Sequence, residues 1–442
     1  GLPANYGDVT GGIISVTTRG PSSKYFGSIE GVTSGFYFKG KDKDGYDGRA
    51  YGLDRYAYNK VEGMFSGPLF MKKDSTGAKV KPILGFLVSG SYLNEVDNRP
   101  LNGGSYRIKK DMRDSLMNSP LVLVTDPTGQ DNSILRATLL KQNDFEISKH
   151  RMNARSQTIS GQAKIDVNTG PSVNLSFGGS LNYFDRSLYD RNSSLLNFQN
   201  FGHAKTFDWR VFFRLTQRFS NTKEGSSSKV KSANYSLMVD YSQRRQSSYD
   251  PKHGFNLFNY GHVGRFDMTM DTSLTLGLDG VYRQEAVPFV SNMTFQASET
   301  NPGLASYTNA YYDLFGSSVD LNQLRNGNGL MNGDTPNSVY NMWNNLGTPY
   351  NGFGRLEQNQ FRVTGSGSVS IGDHNISLGF EYEQRTDRSW GQGDQGPIGI
   401  WGQARLLMNK HIAELDLANP IIVNGNGFTA EYFNRLNTGV AH

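Results

Sequence analysis

Apolar and polar residues alternate along several long stretches of this chain. In residues 156–167, Ile159, Gly161, Ala163, Ile165 and Val167 fall on one side of an extended backbone, with Ser160, Gln162, Lys164 and Asp166 on the other. Asn168, Gly170 and Pro171 then mark a turn. The alternation resumes with Val173, Leu175, Phe177, Gly179, Leu181 and Tyr183 set against Asn174, Ser176, Ser180 and Asn182. Phe207, Trp209, Val211, Phe213 and Leu215 repeat the rule against Asp208, Arg210, Arg214 and Thr216. A further hairpin sets Phe361, Val363, Val369 and Ile371 beside Ile376, Leu378, Phe380 and Tyr382, joined at Gly372, Asp373 and His374. Laid end to end, the pattern predicts eleven strands, near 25–37, 56–69, 83–96, 156–167, 173–188, 206–219, 233–247, 259–271, 273–286, 358–371 and 375–390.

The connections between these strands differ by parity. Those after even-numbered strands are mostly short, at 168–172, 220–232, around 272 and 372–374, with 70–82 somewhat longer. Those after odd-numbered strands include the long polar stretches 97–155 and 287–357. Outer-membrane barrels have this asymmetry, with short turns on the periplasmic side and long loops outside, whereas a sandwich has no reason to keep it. The expected fold class is therefore all-β, a transmembrane antiparallel β-barrel. Tyr183, Phe184, Trp209, Tyr241, Tyr382 and Trp390 lie toward the predicted outer ends, where an interfacial aromatic girdle belongs. An odd number of strands cannot close a bacterial single-chain barrel, so the expectation is a partial one that ends inside a surface loop at 391–442.

Composition agrees with a β protein. Glycine supplies 51 of 442 residues and aromatics reach 12%, while apolar residues total only 36%. The longest apolar run, residues 83–88, is far too short for a membrane helix. The mean hydropathy of -0.54 does not argue against a barrel, whose strands are polar at every second position. The chain contains no cysteine, which excludes disulfides, thiolate metal sites and a cysteine nucleophile. Its net charge of +5 is scattered and too mild for a nucleic-acid footprint.

The first residues carry a more specific pattern. Tyr6 and Gly7, then Gly11, Gly12, Ile13, Ile14, Ser15 and Val16 up to Arg19, resemble the end of the plug domain in TonB-dependent outer-membrane transporters. Phe65, Ser66, Gly67, Pro68 and Leu69 resemble the end of the second barrel strand in the same family. The resemblance, closest to the large starch-utilisation (SusC-like) type, implies a barrel of 22 strands occluded by a plug. Residues 1–20 would then be the plug end, and 21–442 the first part of the barrel. It also implies a surface lipoprotein as partner, outer-membrane localisation, and TonB engaging a segment upstream of Gly1. A leader peptide and most of the plug would also lie upstream. Plug contacts are expected at Tyr6, Gly7, Gly11, Gly12 and Arg19, and at the lumen-facing candidates Gln162, Lys164, Arg210 and Arg214. A periplasmic plug would make the first strand run outward, placing 97–155 and 287–357 on the cell surface.

Other motifs contribute little chemistry. Asp42, Asp44 and Asp47 with their glycines hint at a Ca²⁺ loop but lack the full spacing and closing glutamate, and read better as a solvated loop. Histidines such as His150, His203, His253, His262 and His374 have no ligand spacing and read as polar surface residues. No nucleophile elbow or phosphate loop occurs, so neither catalysis nor a cofactor is expected. Basic clusters at Arg107, Lys109 and Lys110 and at Arg244 and Arg245 are candidate contacts for outer-membrane lipids and lipopolysaccharide. Two alternatives to transport remain open. One is a receptor-like barrel serving as a scaffold in a surface machine; the other is a soluble all-β carbohydrate-binding protein, with charge on both faces of some strands.

Overall fold

The computed structural model describes residues 24–436 apart from 43, 74, 76, 78, 171, 221–228, 287–288, 317–320 and 393–394. The expected plug end, with Tyr6, Gly7, Gly11, Gly12 and Arg19, lies outside the described residues.

Nine amphipathic stretches form one continuous antiparallel sheet. They are β1 (Phe26–Thr33), β2 (Asn59–Lys73), β3 (Lys79–Glu95), β4 (Ser156–Asn168), β5 (Val173–Leu188), β6 (Gly202–Ser220), β7 (Val230–Tyr249), β8 (Gly354–Ile371) and β9 (His374–Gly391). Each strand pairs with its sequence neighbours, so the sheet is a meander. Among the described residues β1 and β9 are paired on one side only. The β8–β9 hairpin turns at Gly372, whose φ of 59° is one that glycine adopts without strain. Connection lengths alternate strictly. Residues 74–78, 169–172, 221–229 and 372–373 link strands at one end, and 34–58, 96–155, 189–201 and 250–353 at the other.

Two expected wall strands are absent from this sheet. Residues 259–271 and 273–286 were expected to span, but β7 pairs directly with β8. Gly264–Asp271 instead pairs with Phe289–Ala297, and Leu274–Leu276 and Val281–Gln284 join Leu415–Gly425 and Phe428–Arg435 in a separate four-stranded sheet. The physical reason is that an amphipathic strand has the same sequence pattern whether its apolar face meets lipid or a helix. Here Phe266 stacks near Phe295, ring centroids 4.8 Å apart, and Tyr312 of the helix Pro302–Phe315 donates a 2.7 Å hydrogen bond to the Met293 carbonyl. The turn expected around 272 therefore lies within the 250–353 excursion. The expected strand 25–37 also breaks at Ser34, and Gly35–Phe38 forms its own small hairpin with Arg49–Gly52.

The long excursions are folded, contrary to their reading as polar loops. Helices Lys110–Asn118, Pro302–Phe315 and Leu321–Asn326 lie within them, and a fourth, Ile400–Ala413, follows β9. Among the described residues, both clusters of buried apolar side chains also sit there. One joins Leu121 and Leu135 to Met293, Leu304, Tyr307 and Leu324. The other joins Ile108 and Leu116 to Leu196, Phe198, Val339 and Leu346. Segments 96–155, 189–201 and 250–353 thus share cores and form a lobe at one end of the sheet.

Candidate functional site

Register divides the sheet into two chemically opposite faces. One face carries the row Glu30, Glu62, Ser91, Ser160, Asn182 and Asp208, which continues through Arg244 and Gln358 to Asp387. The next row includes Ser89, Gln162, Ser180, Arg210, Ser242, Gln360 and Arg385. A groove of about 620 Å³ runs along this face over β1 to β5. Charges on it are paired, across strands at Asp240 and Asp208 and within β4 at Asp166. Asp240, 2% exposed, accepts from Arg210 and Arg362 at 3.1 Å each, Arg244 meets Asp208 at 2.8 Å, and Lys164 meets Asp166 at 3.0 Å. Asp166 also accepts a 2.5 Å hydrogen bond from Ser176. These pairs compensate burial that unpaired charges would not tolerate.

All four lumen-facing candidates, Gln162, Lys164, Arg210 and Arg214, fall on this polar face. Gln162, Lys164, Arg210 and Arg214 also share one pocket of about 210 Å³ with Ser176, Ser180 and Met238. Their acidic partners Asp166 and Asp240 were not singled out from sequence, although the available signals were a lysine two residues before Asp166 on its own strand and opposite charges at the same parity on the strands flanking Asp240. Phe212 departs from the polar rule. Its ring covers Gly178, where an added Cβ would lie 2.8 Å from Cζ.

The opposite face is apolar on every strand from β3 to β9. One row reads Phe86, Ile165, Phe177, Phe213, Val239, Val363 and Tyr382. Another reads Leu84, Val167, Leu175, Leu215, Leu237, Gly365 and Phe380. These side chains are substantially exposed: Phe177 56%, Phe213 43%, Phe380 60% and Leu378 75%. Toward the lobe the apolar series stops at a polar residue on each strand: Asn94, Gln157, Asp185, Lys205, Gln243, Asn359 and Gln384 in turn.

That boundary drifts against the hydrogen-bond register. Asn94 lies level with Gln157, Asp185 and Lys205, and the same row continues through Ser247 and Arg355 to Trp390. On β9, however, the boundary is Gln384, six residues nearer the turns than Trp390. From β3 to β9 the drift averages one residue per strand. With a rise of about 3.4 Å per residue and about 4.8 Å between strands, the band crosses the strands at a slope of about 35°.

Several expected sites look different in place. Arg107 is buried, donating to Glu146 at 2.8 Å and to the Tyr46 carbonyl at 2.9 Å, so it is not an accessible lipid contact. Arg244 turns to Asp208 on the polar face, while Arg245 lies on the other, opposite Phe207 and Glu357. Phe184 points away from the expected girdle, opposite Thr158 and Thr206. His150 and His253 are buried, not surface residues; a 2.7 Å hydrogen bond ties His253 to Asn301. The acidic loop is internally engaged. Asp44 meets Arg113 at 2.8 Å, Asp42 meets Lys110 at 3.7 Å, and Asp47 accepts from the backbone amides of Lys41 and Asp42. Those amide bonds hold the Asp47 carboxyl below the usual carboxylate range.

No known family model matches the chain, and no curated protein matches it.

Proposed function

We propose that this chain is part of a transmembrane β-barrel of the TonB-dependent outer-membrane transporter type, with the polar face lining the lumen and the excursion lobe at the cell surface. The observation that carries this reading is the apolar band. On β3 to β8 five or six alternating apolar residues per strand cover nine to eleven positions, the length that a tilted strand needs to cross a bilayer, and on β9 four cover seven. The drift of about 35° lies within the range of barrel strand tilts. A continuous exposed apolar surface across seven strands far exceeds what a soluble monomer carries, which disfavours the soluble carbohydrate-binding alternative.

That β1 and β9 are paired on one side only among the described residues belongs with this reading, because edge strands in lipid need partners for their backbone groups. Further strands would complete the wall. Gln162, Lys164, Arg210 and Arg214 would then face the plug or a passing solute. The folded lobe, with two cores of its own, equally suits a scaffold that docks a surface lipoprotein, and uptake measurements separate the two.

The test is spin labelling at Phe177 and Leu378 against Ser180 and Gln360 in the protein reconstituted in lipid. The first pair is expected to be accessible to oxygen and shielded from a water-soluble nickel chelate, and the second pair the reverse. Equal access at all four positions would defeat the barrel.

A further inference from the structure

Where the apolar band ends, the structure opens a further cavity, of about 1050 Å³, between the sheet and the lobe. Its sheet side is built from Asn59, Tyr92, Asn94, Ser187 and His203, all in register with the apolar face and at or just beyond its polar limit. Its lobe side comes from the hairpin at Phe36–Phe38 and from residues near 150–155, 199–201 and 251–252. The cavity is therefore on the band's side of the sheet, not in the polar groove.

Its chemistry is cationic. Lys39, Arg155 and Lys252 line it, while Arg113, also in the lining, is already paired with Asp44 at 2.8 Å and Asp114 at 2.7 Å. Arg155 donates to Asn94 at 2.8 Å and Lys252 to Asn200 at 2.7 Å, so these two hydrogen bonds orient the cations without neutralising them. Beneath them lies an unusual concentration of unpartnered polar atoms. Arg113 Nη1, His150 Nδ1, Ser187 Oγ and Gln199 Nε2 belong to residues lining this one cavity, and none has a hydrogen-bond partner within the protein. Arg113 and His150 are 8% and 6% exposed. Buried groups of this kind are normally satisfied, and of the four the Arg113 and Gln199 nitrogens are donors only, which beside the lysines suit an oxyanion. Phe36 and Phe38, more than half exposed, stand at the mouth as interfacial aromatics do.

We infer that this cavity binds the phosphorylated headgroup of a lipid whose acyl chains lie along the apolar band below it. The inference rests on the band being the lipid face, because that places the cavity at headgroup level. A phosphate there would meet Lys39, Arg155 and Lys252 at the rim. Arg113 and Gln199 would add positive and polar field from the wall behind them, and the asparagines would meet neighbouring hydroxyl or ester oxygens.

The test uses the full chain in a neutral maltoside detergent, with bound lipid counted by native mass spectrometry. Dioctanoyl phosphatidic acid, dioctanoylglycerol and inorganic phosphate are the probes. Saturable binding of one phosphatidic acid is expected, not reproduced by dioctanoylglycerol. The double variant K39Q/K252Q, altered only at solvent-facing lysines, should weaken it about fivefold or more. No saturable binding, equal binding of dioctanoylglycerol, or an unaffected double variant would overturn the site. Inorganic phosphate binding as tightly as the lipid would make it a free-anion site and overturn the lipid assignment. The spin-label test of the band uses positions on β5, β8 and β9 away from this cavity, so failure of the membrane reading and failure of the site are told apart.

Discussion

At the scale of single residues, the lobe depends on a few buried charges whose partners are fully specified. Asp97 is completely buried. Arg151 donates to it through Nε at 2.9 Å, Nη2 at 2.7 Å and its own amide at 2.7 Å, and the Arg99 amide adds a bond at 2.9 Å. Asp97→Ala would leave the Arg151 guanidinium in place without its counter-charge, and should lower the lobe's stability by about 3–5 kcal/mol. Hydrogen exchange of the strand pair Ser105–Ile108 and Phe145–Ser148 would report this as faster local opening, and unchanged protection would show the pair to be dispensable. His150 sets a pH dependence. Burial lowers its pKa below the ordinary 6.5, with Asp97 opposing and Arg107 reinforcing the shift. The unfolded chain then binds the proton more readily than the folded one. Stability is therefore full above about pH 6.5 and falls as the pH drops from there toward the lowered value. Thermal melts of the lobe should show this loss between pH 7.5 and 5.5, and His150→Gln should flatten it; a melting point that rises on acidification would contradict the sign.

At the scale of elements, strand tilt separates residues that the hydrogen-bond register holds level. Leu175, Leu215 and Leu237 form one row, yet Leu175 lies eight residues below the last apolar residue of β5, Tyr183, and Leu237 only four below Tyr241 of β7. In a bilayer Leu237 would be near mid-depth and Leu175 near the turn-side interface. Leu237→Arg should cost about 2–4 kcal/mol in folding into lipid and Leu175→Arg about 0–1 kcal/mol. Equal costs, measured by denaturant titration in vesicles, would mean that the row lies at one depth. This register was largely legible in the sequence, because period-two alternation fixes which residues share a face, and β4 to β6 and β8 to β9 lie within a few residues of their expected bounds. What periodicity does not encode is what covers the apolar face. Residues 264–271 alternate as the wall strands do, but Phe266 and Met268 pack against the lobe core. The lobe's helices were missed because they lie between polar turns, and the paired carboxylate Asp240 because its cations, Arg210 and Arg362, sit on neighbouring strands.

At the scale of the whole molecule, shared cores constrain topology more tightly than connection lengths do. Ile108 and Leu116 come from 96–155, Leu196 and Phe198 from 189–201, and Val339 and Leu346 from 250–353, and all pack in one cluster. Ser133 Oγ also donates to the Gly327 carbonyl at 2.5 Å, and Asn328 Nδ2 donates back to the Ser133 carbonyl at 3.0 Å, across nearly 200 residues of sequence. These three excursions must therefore lie on the same side of any bilayer that the sheet crosses. The turns 169–172 and 372–373, reached by strands of at least thirteen residues, must lie on the other. The absence of native cysteine makes the test direct. Cysteines placed at the exposed positions Asn118 and Asn326 of the lobe should react with a membrane-impermeant maleimide on intact cells, and those at Thr169 and Asp373 should react only after the outer membrane is permeabilised. The reverse pattern would invert the barrel, labelling at all four would remove the sheet from the membrane, and disagreement between Asn118 and Asn326 would break the lobe itself.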